Sequence, residues 1–151
     1  MMTIKNIKVY HLFWFVAVIS LLTGLFNPDE TLDINIHDTY FVIASIHMAV
    51  LLFIFYFISG FAYWLVQKVL KKNLLSYLTL IHAVIAIGSY IFYWLILLYC
   101  KLFLSNPEFP LFDDGSQLIN ISLVLEFMLT IFVAVPIFIV NLSIGIFRKS
   151  N

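Results

Sequence analysis

Three ionisable side chains, His47, His82 and Glu126, lie well inside long apolar stretches of this 151-residue chain. A charged group in hydrocarbon is costly, so such residues face the interior of a bundle, where they pair with one another, with backbone carbonyls or with water. An imidazole or carboxyl held there can pass a proton or contact a ligand, or it can simply tie helices together through hydrogen bonds. Their neighbours fall at helical spacing. Ser122, Glu126 and Thr130 recur every four residues, with Asn141 close to the same line. Thr79, His82, Ala86, Ser89 and Tyr93 follow steps of three and four, as do Tyr40, Ala44 and His47, so each set shares one helix face. At 1.5 Å of rise per residue, His47 counted from Asp38 and Glu126 counted from Gln117 lie about 13 Å below one boundary, and His82 counted from Lys72 about 15 Å above the other. All three are therefore expected near mid-membrane. Tyr93 and Thr130 are expected as buried polar companions, and Pro136 should bend the helix that carries Glu126.

The elements that position these groups are long helices. Hydrophobic residues make up 64% of the chain and charged residues 11%, which excludes an ordinary soluble domain. Four stretches, about 9–26, 39–66, 74–100 and 118–147, reach the roughly 20 apolar residues a bilayer requires. Between them lie "NPDETLDINIHD", "QKVLKK" and "SNPEFPLFDDGSQ". The expected fold is an all-α integral membrane protein, a single bundle of four transmembrane helices. The N-terminal stretch competes with a signal peptide, but no small-residue cleavage site precedes Asn27 and Pro28, so it reads as a true span. Cys100, the single cysteine, excludes an internal disulfide and reads as packing. Trp64, Tyr77 and Tyr99 fit interfacial belts, and His11 beside Tyr10 and Trp14 fits an interfacial anchor. Most of the other aromatics are expected as lipid-facing bulk.

Basic residues fix the orientation. Lys5, Lys8, Lys68, Lys71, Lys72, Arg148 and Lys149 are seven of the eight, and all fall at one end of the four spans. Asp29, Glu30, Asp33, Asp38, Glu108, Asp113 and Asp114 fall in the two loops at the other end. By the positive-inside rule both termini are cytoplasmic, and a bacterial inner membrane is the expected location. Cations this few, confined to short segments, exclude a nucleic-acid partner.

His37-Asp38-Thr39-Tyr40-Phe41-Val42, followed by Ala44 and His47, resembles the HDTYFVVAHFHY signature of subunit I of the haem-copper (cytochrome c) oxidases, with eight of twelve positions matching. Gly60, Phe61 and Trp64 resemble the end of the same family helix, and the four spans resemble the last four of the family's twelve. The resemblance implies that His37 and Asp38 correspond to ligands of an outer magnesium or manganese ion. It implies that His47 stands at the axial position of the low-spin haem, while Ser45 replaces the histidine of the oxygen-reducing haem. A hydroxyl is a poor ligand for haem iron, and the copper ligands lie on helices outside the resemblance. No copper and no oxygen reduction are therefore expected from this chain alone.

Three functional readings follow. The first is an accessory or assembly subunit of a respiratory complex, a non-oxygen-reducing relative of subunit I. The second is an electron-transfer subunit holding one low-spin haem of b or a type on His47. Its second ligand would be His82, His11 or a histidine of another chain, including the His47 of a second copy in a homodimer. The third is proton or ion movement through His47, His82 and Glu126. The paired arginines that neutralise haem propionates in the family have no counterpart in the acidic third loop, which favours the first. The orientation itself is testable: a cysteine placed between Lys68 and Lys72 should react with a membrane-impermeant maleimide in inverted vesicles and stay protected in intact cells.

Overall fold

The computed structural model describes residues 8–26, 29, 31–36, 39–104 and 114–148. Helix α1 (Val9–Phe26) reads "VYHLFWFVAVISLLTGLF", apolar on every side, the pattern of a helix that meets lipid on one face and protein on the other. The buried face is Tyr10, Phe13, Val16, Ala17, Ser20 and Gly24. Two strands follow, β1 (Thr31–Ile36) and β2 (Thr39–Ala44), paired antiparallel with Thr31 opposite Ala44 and Ile36 opposite Thr39. Helix α2 (Ser45–Trp64) opens directly from β2 and widens into a π-helical turn at Leu65–Val69. Helix α3 (Ser76–Tyr99) ends in a similar turn at Cys100–Leu104. The last span is α4 (Asp114–Leu129), a π-helical turn at Thr130–Ala134, and α5 (Val135–Phe147). Among the described residues four helical units, Val9–Phe26, Ser45–Val69, Ser76–Leu104 and Gln117–Phe147, are long and apolar enough to cross a membrane.

The second span corrects the sequence expectation at its start: its helix begins at Ser45, and the expected first turns from residue 39 are strand. The reason is local. Thr39, Tyr40, Phe41, Val42 and Ile43 are all β-branched or aromatic, the residues that lose most rotamer freedom in a helix and fit best on a pleated surface. The helix does not need them either, since the 25 residues of Ser45–Val69 already rise about 37 Å. Pro136 is the second residue of α5. It lacks the N–H that would bond one turn back, and the widened Thr130–Ala134 turn directly before it absorbs the mismatch.

At the far end of α2 the chain turns sharply. The Lys72 amide donates to the Val66 carbonyl at 3.0 Å, a closure one residue wider than a Schellman motif, and Lys71 takes the left-handed conformation this requires, with φ 52°. The ammonium of Lys72 donates to the Ile146 carbonyl, capping the last turn of α5.

The spans pack in two ways. Helices α1 and α2 lie close along their whole length because glycines let their backbones approach. A Cβ on Gly24 would collide with that of Ala49, and one on Gly60 would stand 2.7 Å from a Trp14 ring carbon and 3.1 Å from the Tyr10 carbonyl. By contrast, the backbones of α2 and α3 approach little, and long aromatic side chains fill the space between them. The fourth span is the least covered, with 6% of its apolar window buried against 33% for each of the first two. It therefore contributes surface more than core. Gly24→Leu should lower the thermal midpoint in detergent, at a cost of about 1–3 kcal/mol for the overpacking. Gly88→Ala, where an added Cβ meets nothing within 4 Å, should leave it unchanged or raise it. Circular dichroism melts of both variants check this.

Candidate functional site

His82 is the hub of the bundle. It lies one and a half turns into α3 with 0% of its surface exposed. Phe13 of α1 stacks on one side of its ring, centroids 5.1 Å apart and planes 15° apart, and Phe138 of α5 stacks near it at 4.8 Å and 28°. Tyr63 of α2 closes the edge, its hydroxyl 2.9 Å from Nδ1. Which of the two donates depends on the tautomer. Nε2 is buried and has no hydrogen-bond partner among the described residues. The three spans other than α3 thus each supply one wall.

A second set of polar groups supports the first. Asn141 of α5, fully buried, accepts the Leu75 amide on Oδ1 at 3.1 Å and donates from Nδ2 to Thr79 Oγ1 at 2.7 Å. The Thr79 hydroxyl in turn donates to the Leu75 carbonyl at 3.1 Å. Helix α3 has no side-chain cap of its own, so Asn141 satisfies from a neighbouring span an amide that would otherwise be stranded. The Tyr63 side chain also lies near Asn141, so the two sets adjoin.

Glu126 belongs to a different cluster. It is half-buried on α4, with Oε1 buried and unpartnered among the described residues, and it lies near enough to Tyr56 of α2 to interact electrostatically. The Tyr56 hydroxyl donates to the Ala86 carbonyl at 2.9 Å, one turn beyond His82, and its ring meets that of Tyr90 edge-on at 6.0 Å. The Tyr90 hydroxyl is buried and, among the described residues, unpartnered as well. The Glu126 carboxyl and the phenols of Tyr56 and Tyr90 are thus neighbouring polar groups on three different spans.

The remaining sequence candidates are dispersed. His47 is the third residue of α2 and is exposed. It precedes Tyr63 by sixteen residues, so it stands about 24 Å along the helix from the level of His82. The structure does not bring His47 and His82 together, and the shared mid-membrane depth expected for His47, His82 and Glu126 does not hold for His47. The strand at 39–44 is the cause, because it moves the start of the helix to within two residues of His47. Ser45 is the first residue of α2 and half-buried. Tyr93 is half-buried and meets Trp94 edge-on at 5.8 Å. Thr130 opens the widened turn of the last span. His11 is exposed beside Tyr10, centroids 4.3 Å apart, and Trp14, at 6.2 Å. His37 and Asp38 lie outside the described residues. Among the described residues, no three of His, Cys, Asp and Glu converge as a metal site would require.

The sequence alone did not single out Phe13, Tyr56, Tyr63 and Phe138, because most aromatics in so apolar a chain are expected to face lipid. A signal was present. Ala49, Tyr56 and Tyr63 recur every seven residues, and with Ser59 and Gly60 they trace the buried face of α2.

The hub carries a double-mutant prediction. Tyr63→Phe strips the imidazole of its partner and should cost about 1–2 kcal/mol. Tyr63→Phe combined with His82→Phe removes both polar groups and should recover most of that loss. Unfolding in graded sodium dodecyl sulfate measures the coupling.

A haem has no evident seat on these residues within one chain. The His82 ring is stacked between two phenylalanines and bonded to Tyr63, and His47 is a long way off at the surface. The likeness to known proteins is nonetheless definite. The family model for cytochrome c and quinol oxidase polypeptide I matches residues 3–107, which is 105 of the 151 residues and takes in the first three spans and the hairpin. No curated protein and no solved structure matches. With that match over more than half its length and four helices able to cross a membrane, the chain is an integral membrane protein belonging to the family of subunit I of the cytochrome c and quinol oxidases.

Proposed function

We propose that the chain is a member of this family that does not reduce oxygen and serves as an accessory or assembly subunit of a respiratory complex, in a bacterial inner membrane with both termini in the cytoplasm. The observation that carries the reading is Ser45. The position that resembles the family's oxygen-reducing haem ligand holds a hydroxyl at the very start of α2, and a hydroxyl does not replace imidazole on haem iron. The thinly covered fourth span supports a partner-binding role, because its wide apolar surface is suited to packing against further membrane helices.

A second reading rests on the exposure of His47. An imidazole at the surface of the bundle, in the position that resembles the low-spin haem ligand, suits a haem shared with a second chain, whether another subunit or another copy in a homodimer. The outer magnesium or manganese site on His37 and Asp38 would accompany it.

Two measurements separate these readings. The tagged chain, purified in mild detergent, should co-migrate with oxidase subunits on a native gel, and the reduced-minus-oxidised spectrum of the isolated chain should be flat. Sharp low-spin haem bands that disappear in His47→Ala would replace the accessory reading with the electron-transfer one. Migration alone, with proton flux into liposomes abolished by Glu126→Gln, would instead favour proton movement.

A further inference from the structure

Of the described basic residues all but Lys101, namely Lys8, Lys68, Lys71, Lys72 and Arg148, fall at the start of α1, in the α2–α3 turn or at the end of α5. All eight Asp and Glu residues lie either between Asp29 and Asp38 or between Glu108 and Glu126. These cations therefore have no counter-charge from an acidic side chain nearby in the sequence. They are not spread evenly either. A cleft of about 360 Å³ opens between the start of α1, the end of α2 and the start of α3, and Lys8, Gln67, Lys72, Asn73 and Ser76 line it. Lys68 and Lys71 lie outside it, exposed.

We infer that this cleft is a binding site for the phosphate headgroup of an anionic phospholipid in the leaflet at the basic end. The chemistry is complementary on three counts. Two ammonium groups supply charge, and the amides of Gln67 and Asn73 with the Ser76 hydroxyl supply directional donors for phosphate oxygens. The amides of the first turn of α3 also point toward that end, beyond that of Leu75, which Asn141 already holds. A lipid is favoured over a free anion because the cleft sits at the end of three apolar helices, where acyl chains can run along their lipid-facing sides while the headgroup stays in the cleft. The fold positions the lysines without spending them: Lys72 keeps two donors beyond its bond to the Ile146 carbonyl, and the Lys8 side chain is exposed. The site is independent of the proposed respiratory role and would stand if that role failed.

The test uses the full chain in detergent, with native mass spectrometry and thermal shift as readouts. Phosphatidylglycerol should bind and raise the midpoint, whereas phosphatidylcholine should not. Lys8→Gln and Ser76→Ala should each weaken phosphatidylglycerol binding, the lysine change by about fivefold, the factor that corresponds to the ~1 kcal/mol typical of one cation near an anionic surface. Lys68→Gln and Lys71→Gln should leave it unchanged. Lys72→Gln also removes a cap on α5, so the Lys8 and Ser76 variants carry the decision. Equal losses across Lys8, Lys68 and Lys71 would mean diffuse surface attraction and overturn the site. Inorganic phosphate that stabilises the chain with the same dependence on Lys8 and Ser76, and displaces the lipid, would overturn the lipid assignment in favour of a free anion.

Discussion

A buried imidazole sets the terms for this bundle. Hydrocarbon offers no water to a stranded polar group, so a histidine in the interior must be walled off and given a partner by protein. Phe13, Phe138 and Tyr63 do this for His82, and each comes from a different span. The requirement is what draws four otherwise similar apolar helices to one arrangement. Apolar surface cannot do so by itself, because lipid tails cover it as well as a neighbouring helix does.

Two kinds of adhesion divide the structure. Between α1 and α2 the backbones touch through Gly24 and Gly60, so dispersion along a close seam holds the pair. Between α2 and α3 the backbones stand apart, and hydrogen-bonded side chains bridge α2, α3 and α5, through Tyr56 to Ala86, Tyr63 to His82 and Asn141 to Thr79. The first arrangement tolerates little change of volume. The second tolerates little change of polarity. The Glu126 carboxyl and the Tyr90 hydroxyl add buried polar atoms that have no hydrogen-bond partner among the described residues.

Hydropathy was sufficient to locate the spans, because an apolar run of more than about 18 residues is longer than a buried helix of a soluble domain and matches the thickness of a bilayer. It also placed His82, Thr79 and Asn141 correctly on interior faces, since a polar residue in such a run advertises its side. The start of the second span was not legible in the same way. Thr39 to Ile43 are as hydrophobic as helix residues, and hydropathy does not distinguish β-branched and aromatic strand formers from helix formers. The depth of His47 was lost with that boundary. The aromatic walls of His82 were hidden for another reason: a phenylalanine facing lipid and one facing an imidazole look alike in one sequence, and the sevenfold spacing along α2 was the remaining clue.

Asn141 has a consequence for biogenesis. Membrane chains are made from the N-terminus onward, and α1 and α2 carry within themselves the glycine seam that joins them. Helix α3 differs, since its first amide is satisfied by Asn141 of α5, which is made well after it. Until α5 arrives, the Leu75 amide has no side chain to receive it, and one wall of the His82 chamber is missing. Arrival of α5 thus closes the bundle, and a chain that stops short of Asn141 carries its own mark of being unfinished: a bare helix end and an open imidazole, both of the kind that membrane quality-control proteases encounter as local disorder.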